Sequence, residues 1–238
     1  MGQSTPPLQP RAPPQSVEEG AHGRACSPVR SHAHAHPPES FDAGRMPSRE
    51  QLARAAALDV VSETGVRVPF GELFARRKVV VVFIRHFWCP LCQDYMYDVS
   101  QNVDPAALER ENVGLVVVGH GSPAMIRSYR QIFRMPFALY ADPGLHVYHA
   151  LGMTLRTTDG GPEHERGAYV RHGLLGGIAM VVRNALRVGM PVWERGGDHA
   201  QLGGEFVLGP GLRCAYAHRM THTRAHAPIA DVLAAAGV

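Results

Sequence analysis

Fourteen consecutive residues constrain this chain more than any others: Val79-Val80-Val81-Val82-Phe83-Ile84-Arg85-His86-Phe87-Trp88-Cys89-Pro90-Leu91-Cys92. Six apolar residues in a row, four of them Val, read as a strand buried on both faces. A Cys-x-x-Cys follows at once, and the run from Gln93 to Val99 is compatible with a helix. The two sulfurs therefore fall where a strand ends and a helix begins. A helix N-terminus carries partial positive charge, which favours a thiolate over a thiol. Arg85 and His86 add positive charge if they face the sulfurs. The pattern predicts an α/β protein with a dithiol redox site.

Size and composition narrow the surroundings of that site. At 238 residues there is room for one domain and a tail. No apolar run reaches the ~18 residues of a membrane helix, so no membrane association is expected. The formal charge of +3 is small, and no basic stripe is interleaved with aromatics, which argues against a nucleic-acid partner. Four cysteines (Cys26, Cys89, Cys92 and Cys214) are too few for a secreted disulfide scaffold. Residues 1 to 20 hold no apolar segment of the kind a signal peptide needs. The expected location is a reducing, cytoplasmic one, where a Cys-x-x-Cys is catalytic or metal-binding more often than a permanent disulfide.

Residues 1 to 45 are rich in Pro, Ser, Ala, Arg and Gly and have almost no apolar periodicity, which predicts a disordered low-complexity tail. Its Ser31-His32-Ala33-His34-Ala35-His36 run is a weak transition-metal signal on a solvated segment. Cys26 reads as an incidental cysteine. The folded domain is expected over 46–238. Ser48 opens a helix with a capping box to Gln51. Asp104-Pro105, Ser122-Pro123 and Asp142-Pro143 each read as an N-cap followed by proline. Val113-Gly114-Leu115-Val116-Val117-Val118-Gly119 is a second buried strand, and Phe137 to Tyr140 a short third one. Strand, helix, strand of this type implies a parallel pair. Residues 153–172 read as a loop insertion. Leu174 to Val188 reads as a helix with Leu174, Leu175, Ile178, Val181, Val182, Ala185 and Leu186 on a broad apolar face. Glu205–Leu208 and Leu212–His218 form a hairpin around Gly209-Pro210-Gly211, and Ala227 to Ala236 closes the chain with a helix.

Three stretches carry a resemblance. They are the segment Val82 to Cys92, the pair Ala141-Asp142-Pro143 and Tyr148-His149-Ala150-Leu151-Gly152-Met153, and Gly203-Gly204-Glu205-Phe206-Val207-Leu208-Gly209-Pro210-Gly211. Over roughly residues 50 to 236 the chain resembles the peroxiredoxin-like proteins that carry an AhpC/TSA antioxidant enzyme domain. The resemblance implies a thioredoxin-like fold: a central mixed sheet flanked by helices, with a helical and loop insertion before the C-terminal hairpin. It also implies a thiol-dependent antioxidant activity through Cys89 and Cys92. In thioredoxin-like oxidoreductases the first cysteine, here Cys89, attacks and Cys92 resolves the mixed disulfide. Aligned as a peroxiredoxin, Cys92 is instead the cysteine that attacks peroxide, and Cys89 condenses with the resulting sulfenic acid. Gly203-Gly204-Glu205 stands where thioredoxins place a cis-proline. The arginine that peroxiredoxins place nearby is also missing, which leaves Arg85 or Arg195 to substitute.

The implied partners are a peroxide or disulfide substrate and a thiol electron donor such as thioredoxin or glutathione; no cofactor and no metal is expected. Two other readings stay open. One is a redox-sensing or binding module that keeps the fold and uses the dithiol as a switch. The other is a structural zinc site, for which Cys-x-x-Cys is half a ligand set and the His218, His222, His226 series is the nearest complement. Trp88 is expected to pack over the dithiol, His86 to be a packing or rim residue and Cys214 to lie in the core. Asp94 and Tyr95 are near enough in sequence to hydrogen-bond at the sulfurs, though surface positions are the simpler expectation. The stretch from 153 to 200 is a candidate lid.

Overall fold

A computed structural model describes residues 41–238; the predicted tail up to residue 40, with Cys26 and the His-Ala repeat, lies outside them. The chain runs α1 (Arg49–Ala56), β1 (Asp59–Ser62), β2 (Arg67–Pro69), β3 (Lys78–Phe83), α2 (Pro90–Asn102), α3 (Pro105–Arg110), β4 (Val113–Gly119), α4 (Ile126–Phe133), β5 (Ala138–Ala141), α5 (His146–Ala150), α6 (Leu174–Val188), β6 (Gly204–Leu208), β7 (Cys214–Arg219) and α7 (Ile229–Ala236). Seven strands form one mixed sheet in the order β2-β1-β5-β4-β3-β6-β7. β3 and β4 are parallel, as are β4 and β5, whereas β6 runs antiparallel to β3 and pairs with β7 as the hairpin.

The valine run occupies the middle of this sheet for a physical reason. Side chains alternate along a strand, so a strand covered on both faces must be apolar at every position. Val80, Val82 and Ile84 join the cluster formed with α2, α4 and α7. Val79, Val81 and Phe83 join the opposite cluster with α1 and α5. Val79 to Val82 are all 1% exposed or less, and each such burial stabilises the fold by about 1.5 kcal/mol or more. The end of the strand is fixed by the Tyr148 hydroxyl, which reaches the carbonyls of Ile84 (2.7 Å) and Val118 (2.9 Å). The dithiol motif begins one turn beyond that point.

Local capping follows the sequence closely. The Ser48–Gln51 box forms in both directions, and Asp104 caps α3 through Ala106. Asp142 also caps, but farther ahead than expected. Its carboxylate accepts from the N–H groups of His146, Val147 and Tyr148, so α5 starts at His146 after Leu145 adopts a left-handed conformation at φ 59°.

Two features depart from expectation. Helix α6 has the expected limits, but its apolar face is turned outward. Leu174, Leu175, Ile178, Val182 and Leu186 are exposed, while Gly177, Val181, Asn184 and Ala185 are buried. The docking face is chosen by fit to α2: a Cβ on Gly177 would lie 2.9 Å from Pro90 Cβ, and Asn184 donates to Gln93 at 3.0 Å. Residues 42–45, assigned to the tail by composition, are held by Arg219. Its backbone N–H donates to the Ala43 carbonyl at 2.8 Å and its guanidinium to the Arg45 carbonyl at 2.7 Å. Among the described residues no helix is long and apolar enough to cross a membrane.

Candidate functional site

Cys89 is the N-cap of α2. Its backbone is extended (φ −74°, ψ 116°), Pro90 takes the first helical position, and its sulfur accepts the Cys92 N–H at 3.2 Å. A sulfur here replaces the usual hydroxyl or carboxylate of a cap and sits in the positive end of the helix dipole. Arg85, just past the end of β3, donates from Nη1 to Cys89 Sγ at 3.3 Å. Its Nη2 is tied to the His199 carbonyl at 2.5 Å. Arg85 Nε is buried and has no hydrogen-bond partner among the described residues. The Arg85 backbone N–H donates to Cys92 Sγ at 3.3 Å. Both cysteines are free and fully buried.

The two sulfurs are driven apart in acidity. Burial alone would push the Cys89 thiol up. The hydrogen bond from the Cys92 thiol, the Arg85 charge, the Cys92 N–H and His226 outweigh it and hold the group at about 6. Burial pushes Cys92 the other way, reinforced by its hydrogen bond to Cys89 and by the charge Cys89 carries. The buried pair thus favours a thiolate on Cys89 and a proton kept on Cys92. Pairs of like groups separate in this manner because both cannot ionise in one desolvated space.

Behind Cys92 stands a second, wholly buried set. His226 Nε2 is 3.6 Å from Cys92 Sγ. His226 Nδ1 is 2.5 Å from Glu205 Oε1, and Glu205 Oε2 accepts from the Ala227 N–H and faces His218 Nδ1 at 2.8 Å. Burial would raise Glu205, but the charge of His226 and the hydrogen bonds from both histidines hold it at about 2. The Tyr95 ring stacks on the His226 ring, centroids 4.2 Å apart and 4° from parallel. Tyr169, from the insertion, meets both Tyr95 and His226 edge-on, and its hydroxyl accepts the His226 N–H.

The insertion closes over the motif. Asp94 is 1% exposed and faces away from the sulfurs; its carboxylate accepts from the N–H groups of Arg171 (2.9 Å) and His172 (3.0 Å) and pairs with His172 Nδ1. At the other end the Gly196 carbonyl accepts the Phe87 N–H at 2.9 Å. A cavity of about 400 Å³ remains beside the dithiol, lined by Arg85, Pro90, Leu91, Arg166, Val170 and Leu174, among others.

The structure brings Cys89, Cys92 and Arg85 together. Arg195 lines another cavity, with Trp88 and His120, and does not substitute at the sulfurs. Trp88 packs on Gly196, where an added Cβ would lie 1.9 Å from the indole Cδ1. His86 is buried against His199, and burial lowers its pKa. Cys214 is half-buried rather than core, donates to the Tyr216 carbonyl, and is pushed by burial to about 11. Gly203 and Gly204 do not admit a substrate: a Cβ would lie 1.9 Å from the Phe83 carbonyl oxygen in one case and 2.3 Å from that of His218 in the other. The histidine series diverges, since His218 and His226 share Glu205 while His222 faces Glu165. Among the described residues no group of three or more His, Cys, Asp or Glu is placed to hold a metal ion.

Sequence reasoning passed over Glu205 and Tyr169 as site residues and weighed His226 only as a metal ligand. One signal was there for Glu205: a lone carboxylate in an otherwise apolar strand, Glu205-Phe206-Val207-Leu208, needs a buried partner.

A mixed sheet flanked by helices, with a buried pair of cysteines at a strand–helix junction and one sulfur capping the helix, is a thioredoxin-like fold. A family model described as AhpC/TSA antioxidant enzyme matches residues 102–222. Human peroxiredoxin-like 2C is 35% identical over 192 residues, covering 80% of this chain and 83% of the relative; the mouse protein is 34% identical over 205 residues, covering 82% and 88%. The chain belongs to the AhpC/TSA antioxidant enzyme family. Among solved structures, the fold is similar to peroxiredoxin 6 of Arenicola marina (TM-score 0.52, 13% identity, 83% of this chain and 73% of the other). It is also similar to peroxidoxin BcpB of Mycobacterium tuberculosis (TM-score 0.50, 13% identity, 76% and 91%).

Proposed function

We propose that this protein reduces peroxides with Cys89 as the attacking thiolate and Cys92 as the resolving thiol. The observation that carries the proposal is the Cys89 sulfur set as the N-cap of α2, where it accepts from the Cys92 N–H at 3.2 Å and from Arg85 Nη1 at 3.3 Å. These donors favour the thiolate and lower the pKa to about 6, as in other reactive cysteines beside a helix N-terminus and a cation. The order is the reverse of the one a peroxiredoxin alignment suggests. Burial of both sulfurs favours a small oxidant over a protein disulfide, and Arg85 Nε is a free donor next to where a peroxide oxygen would sit.

The thiolate attacks one peroxide oxygen, the O–O bond breaks, and the departing oxygen takes a proton to leave as alcohol or water. Cys89 is then a sulfenic acid. Cys92 attacks the Cys89 sulfur, the S–S bond forms, and the hydroxyl leaves as water with the proton Cys92 gave up. Two electrons from a thiol donor such as thioredoxin or glutathione return the disulfide to dithiol, which suits a reducing compartment such as the cytoplasm.

The test is peroxide treatment of reduced protein followed by mass spectrometry of its thiols, for wild type, Cys89→Ser and Cys92→Ser. Cys92→Ser should accumulate a sulfenic acid on Cys89, and wild type should close the Cys89–Cys92 disulfide. A sulfenic acid on Cys92 in the Cys89→Ser protein, formed as fast as wild type reacts, would reverse the assignment. Two thiols untouched by peroxide would replace it with the dithiol-switch reading, which the complete burial of both sulfurs also suits.

A further inference from the structure

We infer that His226, oriented by Glu205, is the base that removes the Cys92 proton during resolution. The inference rests on the proposed order of the two cysteines and adds a catalytic residue to it.

In the resting dithiol the negative charge sits on Cys89, which accepts from Arg85 Nη1 and the Cys92 N–H, and Cys92 keeps its proton. That arrangement cannot persist through the reaction. Once Cys89 is bonded to oxygen or to a second sulfur it is no longer an anionic acceptor. Cys92 must then lose its proton in a space where burial opposes thiolate formation. The remaining side-chain acceptor within reach is His226 Nε2, at 3.6 Å. Imidazole is the side chain that takes and returns a proton near neutral pH.

Glu205 makes that nitrogen available. An ionised carboxylate only accepts hydrogen bonds, and Glu205 is held ionised. His226 Nδ1 must therefore carry the hydrogen directed at Oε1; in the neutral ring the Nε2 lone pair then faces Cys92, and a ring that also carries the Nε2 proton, paired with Glu205, must release it before it acts as the base. The second carboxylate oxygen is fixed by the Ala227 N–H and His218, so the ring cannot turn without breaking a buried network. Tyr95 on its face and Tyr169 at its edge restrict it further. These, with Cys92, Cys89, Arg85, Glu205 and His218, are the titratable and charged groups that surround His226. The proton passes from Cys92 to Nε2, the Cys92 thiolate attacks the Cys89 sulfur, and Nε2 returns the proton to the departing group. Glu205 acts through His226 and is a positioning residue.

The experiment isolates resolution from peroxide chemistry. Full-length protein carrying Cys26→Ser and Cys214→Ser is treated at low pH with methyl methanethiosulfonate, and the capped cysteine is located by mass spectrometry. The pH is then raised, and methanethiol release reports attack by the second cysteine. With Cys89 capped, His226→Gln should release methanethiol about a hundredfold more slowly than the parent protein, the lower range for a general base. Its rate should also climb tenfold per pH unit where the parent levels off. Glu205→Gln should slow release less and shift the level region. A loss of rate that leaves the pH profile unchanged in both variants would mark His226 as structural and overturn the inference, as would an unaltered rate. Capping confined to Cys92 would instead defeat the assignment of Cys89 as nucleophile. Circular dichroism and the urea midpoint check that each variant is folded; should His226→Gln fail that check, the Glu205→Gln profile decides.

Discussion

Replacing Arg85 by Met removes the cation that touches Cys89 while keeping the apolar stem. At 3.3 Å a full charge stabilises the Cys89 thiolate by about 5 kcal/mol at an effective dielectric constant of about 20. Part of that is offset by burying the guanidinium, and opposite charges at such range lower an acid's pKa by about 1 to 3. The Cys89 midpoint should thus rise from about 6 to about 8, because the N-cap position and the Cys92 thiol remain. At pH 6.5 the thiolate fraction falls about 25-fold, but a more basic sulfur is also more nucleophilic, by about 8-fold for a rise of about 2 with a Brønsted slope near 0.45. The net rate loss is only about threefold, so rate is the wrong measurement. The informative assay is the pH profile of Cys89 alkylation by iodoacetamide, followed at that residue by mass spectrometry. Arg85→Lys, which keeps a charge but not the planar fork to His199, should fall between the two. A midpoint that stays at about 6 in Arg85→Met would refute the electrostatic account and leave the helix terminus and Cys92 as the causes.

Further expectations follow from the same geometry. Glu205 is ionised in the fold down to about 2, against about 4.3 unfolded. Its contribution is therefore complete above about pH 4.3 and lost as pH falls through about 2, some 3 kcal/mol in all. Glu205→Gln should flatten that part of the acid-unfolding curve, read by circular dichroism in urea, and a curve still as steep would deny the buried network its role. Asp94→Ala frees the backbone of Arg171 and His172, so alkylation of Cys89 should quicken and hydrogen exchange rise over residues 169 to 173. Unchanged thiol accessibility would mean that the insertion is not held by this carboxylate. Gly203→Ala drives a methyl into the Phe83 carbonyl and should cost more than the ~1–3 kcal/mol of ordinary overpacking, measured as a lower denaturant midpoint. Cys214→Ser should leave peroxide turnover as it is, since that sulfur is half-buried and held at about 11.

What the sequence disclosed and what it withheld divide along a physical line. The valine run, the capping residues and the Cys-x-x-Cys are local signals: each states its own environment through periodicity or chain geometry, and the elements formed at or within a few residues of where they placed them, α5 starting late at His146. The orientation of α6 was not legible, because its docking face is decided by the fit of Gly177 to Pro90 and of Asn184 to Gln93, contacts 87 and 91 residues apart. Hydrophobicity alone selects the opposite face. Arg85 was legible as a candidate because it lies four residues before Cys89. His226 and Glu205 come from distant segments, and only the pairing of β6 with β3 and β7 and the seating of the chain after β7 bring them behind Cys92.

The N-cap role of Cys89 has an energetic corollary. Whatever holds its thiolate also favours the reduced protein over the oxidised one, because a sulfenic acid or disulfide sulfur cannot accept the Cys92 N–H and the Arg85 donor with comparable strength. A cap of this kind contributes about 1 kcal/mol to its helix, and the charge pair adds to that. Oxidation therefore loosens the first turn of α2, and the stability regained on reduction raises the potential of the couple. The grip that favours a thiolate at Cys89 would also make a Cys89–Cys92 disulfide easier to reduce.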